Sequence, residues 1–345
     1  MKRNMAGAVL AIAVFTQPLF AGGGREPSAA SPQTAHIGVF IPGVMSGSPI
    51  YEMLAQGVRR GAADFASRTQ TGVNVTVVEG GYNQAEWESK ITAMAASGAY
   101  QLIVSSNPSI PAIADAVSRK FPKQRFLLLD GELAGNPMIY TMAYDQWEQA
   151  YMAGHIAALV SAEAAPAGAR KVGLVAGQEY PAMTGVIAPG CLAGAQAVDG
   201  AFELAFRVVG NWFDAGKGAE LARELIGEGV KVIVCIAGGA NEGVVQAASE
   251  AGAKVVWFDI NGYAVRPGTV VGSAVLAQEK AAYEQTRRFL EGTLPFGSAE
   301  TVGAASGYVD FVEDDPQYRL AVSEAVRERQ ARLTAQFRAG TGPRR

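Results

Sequence analysis

The chain repeats itself, and that repeat limits its possible folds more than any other feature. The first copy opens with a strand-like "HIGVFIPG" (His36–Gly43) and a helical "YEMLAQGVRRGAADFA" (Tyr51–Ala66). The second opens with "KVGLVAGQ" (Lys171–Gln178) and "APGCLAGAQAV" (Ala188–Val198). Next, "VNVTVVEGG" matches "FELAFRVVG", and each is followed by a helix that ends at a glycine, Gly98 or Gly229. "YQLIVSSN" then matches "VKVIVCIAGG", and "FLLLD", ending at Asp130, matches "VVWFD", ending at Asp259. Equivalent points lie about 130–135 residues apart.

In both copies strands alternate with helices, and the strands are continuous apolar runs. Such runs mark parallel sheets buried on both faces. The expected fold is α/β: two doubly wound parallel-sheet lobes with a central cleft. Ligands of such sheets sit beyond the carboxyl ends of the strands. Asp130 and Asp259 end equivalent strands, so the repeat alone directs both towards the cleft. The other reading of a strand-ending Asp is a turn former or helix cap.

The chain continues with a strand and helix in "GTVVGSAVLAQEKAAYEQTRRFLEG", a further strand "GYVDFVE" and a charged amphipathic helix. The expected partition puts residues 36–145 plus about 262–300 in the first lobe. Residues 146–261 plus about 301–335 form the second, and 336–345 a polar tail. Several crossings between the lobes would make a hinge.

Residues 1–21 have the plan of a secretory signal peptide. Lys2 and Arg3 precede the uncharged apolar run "AGAVLAIAVF", which is too short to span a membrane. The sequence around Leu19–Gly22 resembles a bacterial lipoprotein box, with Gly22 where the lipid-bearing cysteine would stand, so no lipid anchor is expected. Residues 22–35 then read as a flexible Gly/Ser/Pro-rich linker. The expected location is periplasmic or extracytoplasmic.

Composition narrows the function. The formal charge is −3 with no basic cluster, which argues against a nucleic-acid partner. The two histidines, His36 and His155, read as structural. The two cysteines, Cys191 and Cys235, read as small buried apolar residues, although a disulfide is conceivable in an oxidising compartment. No metal spacing and no G-x-S-x-G elbow occurs in the sequence. "GGANEG" (Gly238–Gly243) follows a strand and opens a helix, but it lacks the dinucleotide spacing. It reads as a backbone-lined loop against a neutral ligand. No cofactor, metal or catalytic residue is expected, and the chain is not read as an enzyme. Aromatic side chains at element boundaries, Trp212, Phe213, Tyr144 and Trp147, are candidates to stack on a flat or sugar-like ligand, or else pack the lobes.

With the repeat and these loops in view, the chain resembles the basic membrane protein family of ABC-importer substrate-binding components, and is similar to the spirochaetal purine nucleoside receptor lipoproteins within it. The likeness covers about residues 36–312. It rests on "FPKQRFLLLD", "MAYDQWEQAYMAGHIAALVS", "KVGLVAGQEYPAM", "GCLAGAQAV", "VVGNWFDAGKGAELARELIGEGVKVIVCIAGGANEGVVQAASEAG" and "WFDINGY". The resemblance implies a type I periplasmic-binding-protein-like fold, a closing cleft, and delivery of a small molecule to a membrane permease. A monomer is expected.

The site carried over from the family is half retained. The resemblance implies that Trp212 or Phe213 supplies an aromatic wall, Gly238 and Gly239 a backbone loop, and Asp259 a carboxylate for hydroxyls. In the loop "PGVMSGSPIYEM" the family's Asp falls at Gly47, its stacking Phe at Ile50 and its Asn at Tyr51. The family's Lys falls at Leu276, and Lys280 replaces it only if the register shifts. The candidate ligand-binding set is Asp259, Asp130, Trp212, Phe213, Gly238, Gly239, Tyr51, Ile50, Asn107, Tyr180 and Trp147. The altered wall predicts weak or no binding of purine nucleosides and preference for another hydroxyl-bearing or heterocyclic solute. Two rival readings are a receptor feeding a membrane sensor and a hydrolase on the same lobes.

Overall fold

The computed structural model describes residues 34–345 except 166, 167 and 169. The expected signal peptide and most of the linker lie outside the described residues. The first sheet contains β1 (Ala35–Ile41), β2 (Val73–Glu79), β3 (Leu102–Ser106), β4 (Arg125–Leu129), β5 (Ile139–Tyr144) and β11 (Ala299–Val302). The second contains β6 (Lys171–Ala176), β7 (Glu203–Val208), β8 (Val232–Ile236), β9 (Lys254–Asp259), β10 (Val270–Leu276) and β12 (Val309–Phe311). Helices α1 (Pro49–Thr69), α2 (Trp87–Ala96) and α3 (Ile110–Lys120) serve the first copy. Helices α4 (Gln146–Ala164), α5 (Ala188–Gln196), α6 (Ala215–Gly227) and α7 (Asn241–Glu250) serve the second. Three more follow: α8 (Gln278–Leu290), α9 (Pro316–Ala321) and α10 (Glu324–Arg338).

The strand orders are β11-β5-β4-β3-β1-β2 and β12-β10-β9-β8-β6-β7, so the sequence repeat is a repeat of topology. Every pairing is parallel except β10 with β12. The central strands β3 and β8 are buried at every residue, as continuous apolar runs require. This is the type I periplasmic-binding-protein-like arrangement expected from the sequence.

The partition of the later segments differs from expectation. The sequence places residues 262–300 in the first lobe, yet β10 lies in the second sheet, as the repeat equivalent of β5. The last strand of the first sheet, β11, instead reaches Val302. The tail also begins later than residue 336, because α10 continues to Arg338 and Phe337 is buried.

The chain therefore crosses between sheets three times: from β5 into α4, from β10 into α8, and between β11 and β12. Helix α8 returns to the first sheet by lying along α1, where a Cβ on Gly57 would come 2.4 Å from the Glu279 carbonyl. The crossings are tied to one another. Asp145 caps α4 by accepting from Glu148 N–H, and its own N–H donates to Val302 O at 2.8 Å. Glu148 Oε2 accepts from Ala304 N–H at 2.7 Å. Tyr144 Oη donates to Gln278 Oε1 at 2.6 Å, joining the first two crossings.

His155 is buried with Nδ1 2.7 Å from Gln330 Oε1, a structural role on the α4–α10 contact. Cys191 and Cys235 are free and buried, and burial pushes the Cys191 thiol up to about 12. Among the described residues no helix is long and apolar enough to cross a membrane.

Candidate functional site

The site begins with backbone geometry. Only three non-glycine residues among those described have positive φ: Gln70 at 58°, Asp130 at 55° and Asp259 at 73°. The last two are the repeat-equivalent residues that follow or end β4 and β9. The left-handed region is disfavoured for L-residues, though short polar side chains tolerate it. Strain of this kind persists where surrounding structure fixes it, and it clusters at ligand sites. Here it turns two carboxylates out of the sheet ends into one cavity.

That cavity encloses about 510 Å³, a size suited to a small organic ligand. Its lining includes ten of the eleven candidates: Asp259, Asp130, Trp212, Phe213, Gly238, Gly239, Tyr51, Ile50, Asn107 and Tyr180. The eleventh, Trp147, is elsewhere. Its ring lies 3.3 Å from a Cβ on Gly190 and 6.2 Å from the Tyr151 ring, so it packs α4 against α5. Residues one apart on a helix point about 100° apart, so where Gln146 and Gln149 face the aspartates, Trp147 faces α5. Lys280 is also not in the lining. Its ammonium sits 3.5 Å from the centroid of the Tyr308 ring and 3.3 Å from Ser306 O. The Leu276 position faces the cavity instead.

Both aspartates are half-buried. Gln146 Nε2 donates to Asp130 Oδ1 at 3.0 Å, and Gln149 Nε2 donates to Asp259 Oδ1 at 3.1 Å. The two glutamines are three residues apart on α4, so one helix face reaches both sheet ends. Removal from water, then the charge of Asp259, pushes the Asp130 carboxyl up to about 8. Removal from water pushes Asp259 up to about 6, against the hydrogen bond from Gln149. Burial likewise raises Tyr51 to about 12, against a side-chain hydrogen bond with Asn107, and its hydroxyl donates to Pro42 O at 3.0 Å.

Aromatic side chains form the walls. Trp212 lies flat against Gly177, where a Cβ would come 2.4 Å from the ring, and its indole N–H donates to Gln178 Oε1 at 3.0 Å. Tyr180 stands 6.2 Å from Trp212 between ring centroids. At the mouth, Tyr82 of the first lobe meets Phe213 of the second at 5.3 Å, so the lobes touch across the opening. Gly238, at φ 58°, could not carry a side chain without meeting the Trp212 carbonyl at 2.8 Å. Ile187 enters from a single π-turn (Met183–Ile187) that leads into α5, a distortion frequent at binding sites.

Sequence reading missed Gln146, Gln149, Gln278 and Tyr82. The i, i+3 pair in "DQWEQ" was a usable signal for the first two. Tyr82 lies in a loop beyond β2, with no pattern to mark it. Among the described residues no group of His, Cys, Asp and Glu is placed to hold a metal.

This arrangement defines a two-lobed α/β protein with one shared cavity at the carboxyl ends of both sheets, the form of a solute-binding protein. Residues 34–339 match the family described as "ABC transporter substrate-binding protein PnrA-like", and the chain belongs to that family. It is 26% identical over 145 residues to the ABC transporter nucleoside-binding protein BmpA of Lactococcus lactis, covering 42% of this chain and 39% of that protein. It is 27% identical over 168 residues to Basic membrane protein D of Borreliella burgdorferi, covering 48% and 47%. These matches thus span less than half the length of either curated relative. The fold resembles that of an ABC transporter solute-binding protein from Aeropyrum pernix, with TM-score 0.74, 21% identity, and 89% and 92% of the two chains covered. A solute-binding family is a class of binding proteins rather than of enzymes.

Proposed function

We propose that this chain is the extracytoplasmic solute receptor of an ABC importer. It closes its lobes around a small hydroxyl-bearing or heterocyclic molecule and delivers it to a membrane permease. One observation above all supports this reading: repeat-equivalent Asp130 and Asp259, each in strained backbone, face a single cavity at the point where the chain crosses between lobes. Membership of the substrate-binding family agrees with it. Asp259 is the carboxylate for ligand donors, Trp212 and Tyr180 are the ring wall, and the three crossings are the hinge.

Hydrogen bonds to an ionised group contribute about 1.5–3 kcal/mol. Asp259→Ala is therefore expected to weaken ligand binding roughly ten- to hundredfold without unfolding the chain. Calorimetry on the ligand found by a thermal-shift screen tests this; unchanged affinity removes Asp259 from the site.

Purine nucleosides are expected to bind weakly. The relative from Lactococcus lactis is named for nucleoside binding. Here, however, Ile50 and Leu276 line the cavity, at the positions where the resemblance puts the family's stacking ring and lysine. An aliphatic wall gives up the roughly 0.5–1.5 kcal/mol that a ring pair adds beyond buried area. A submicromolar constant for adenosine, guanosine or inosine would refute this expectation.

A further inference from the structure

The cavity has an unbalanced charge. Its lining carries the carboxylates of Asp130, Asp259 and Glu242, and no lysine, arginine or histidine among the described residues. The partners of the two deep carboxylates are the neutral amides of Gln146 and Gln149. The other titratable groups close enough to feel them are the hydroxyls of Tyr51, Tyr144 and Tyr180 and the Cys235 thiol. Each is shifted upward, first by burial and further by the carboxylate charge. None supplies positive charge. Lys280, two residues beyond the lining Gln278, is held away from the cavity against Tyr308 and Glu284.

Two further features point to what fits there. The rings of Trp212, Tyr180 and Tyr51 line the cavity, and aromatic faces attract cations strongly once water is excluded. Gln278 is fully buried and lines the cavity, with Oε1 taken by Tyr144 and Nε2 without any partner. An orphaned buried donor is costly unless something accepts from it. A ligand acceptor near Gln278 would satisfy it.

We propose that the cleft selects an organic cation: a small ring-bearing solute whose positive charge sits between Asp130 and Asp259 and whose hydroxyl, carbonyl or ring nitrogen accepts from Gln278. This rests on the receptor reading above and narrows its ligand by charge. Opposite charge at close range favours the ionised carboxylate, so a cation restores both aspartates to their ordinary state as it binds. An anion meets three acidic groups and no cationic side chain in the lining. A neutral polyol leaves the carboxylates facing each other, or requires one of them to stay protonated.

The pH dependence follows from this. With Asp130 protonated below about 8, a cation must displace that proton, so its affinity rises as pH increases towards that value. A neutral ligand that accepts from the protonated carboxyl shows the opposite slope.

The test uses the full chain and two series of matched shape and different charge. One is the N-methylnicotinamide cation, nicotinamide and nicotinate. The other is the ring-methylated adenosine cation, adenosine and adenosine monophosphate. A thermal-shift screen of amines, sugars and carboxylates runs beside them, because any ligand of the folded state raises its melting temperature. The cationic member is expected to bind at least about tenfold tighter than its neutral counterpart in one series, with calorimetric affinity rising between about pH 6 and about pH 8. Asp130→Asn and Asp259→Asn should each bring the cation and its neutral counterpart closer to parity. Parity within about threefold in both series, or a tighter neutral or anionic ligand from either arm, overturns the proposal and leaves the receptor reading standing. Silence from all three charge classes overturns both.

Discussion

Gly154→Ala is expected to destabilise the protein by about 3 kcal/mol or more, although alanine is the better helix former by about 1 kcal/mol. The reason is the crossing of α4 and α5. A Cβ on Gly154 would lie 2.0 Å from the Cys191 carbonyl oxygen, and one on Gly194 would lie 2.0 Å from the Tyr151 carbonyl oxygen. The obstacles are backbone atoms of buried helices, so no side-chain rotation relieves the clash and the helices must move apart. Interiors packed at crystal-like density resist that separation. Gly227→Ala is the control. It is exposed at the end of α6 with nothing within 4 Å of its Cβ, so there the propensity gain should appear alone. Denaturation midpoints of the two variants should move in opposite directions. A neutral Gly154→Ala would mean that the two helices do not pack this closely.

The contrast between these glycines shows what the sequence could convey. Local periodicity and the repeat reveal the strands, their alternation with helices and the carboxylates at their ends, because those depend on residues close in sequence or on symmetry between the copies. Asp130 and Asp259 were legible for that reason. Trp147 was not, because a ring near the start of a helix can face the cleft or the neighbouring helix, and only the helix packing decides. Lys280 was misleading for a similar reason: a long side chain one turn beyond Leu276 can reach either way, and the Tyr308 ring draws it outward. Strand β10 lies in the second sheet rather than the first because it is the copy of β5, so the repeat, not position along the chain, decides its lobe. Gln149 and Gln278 acquire meaning only when three crossings converge. No local pattern encodes that convergence.

Asp130→Asn is expected to stabilise the ligand-free protein at about pH 8 while weakening its ligand binding, because the native carboxylate is held there at a cost to the fold. The native group binds its proton up to about 8, whereas an unfolded aspartate releases it near 3.9. Between these values the folded state holds more protons, so the carboxyl's contribution to stability is full below about pH 4 and falls as pH rises towards about 8. Asparagine has no such loss. It keeps the acceptor for Gln146 Nε2 and is at least as tolerant of φ near 55°. The stability difference between variant and native protein should therefore be small near pH 4 and grow to the order of 2 kcal/mol near pH 8, after allowance for the partial solvent access of the site. Comparing the two proteins, rather than following one, cancels the surface carboxylates such as Asp115, Asp199 and Glu291, whose shifts run the other way. Melting temperatures measured against pH decide the matter. Parallel curves for the two proteins would show that Asp130 is ionised in the cleft at no cost, whereas divergence towards alkaline pH, with lost affinity, identifies a carboxylate kept for its ligand.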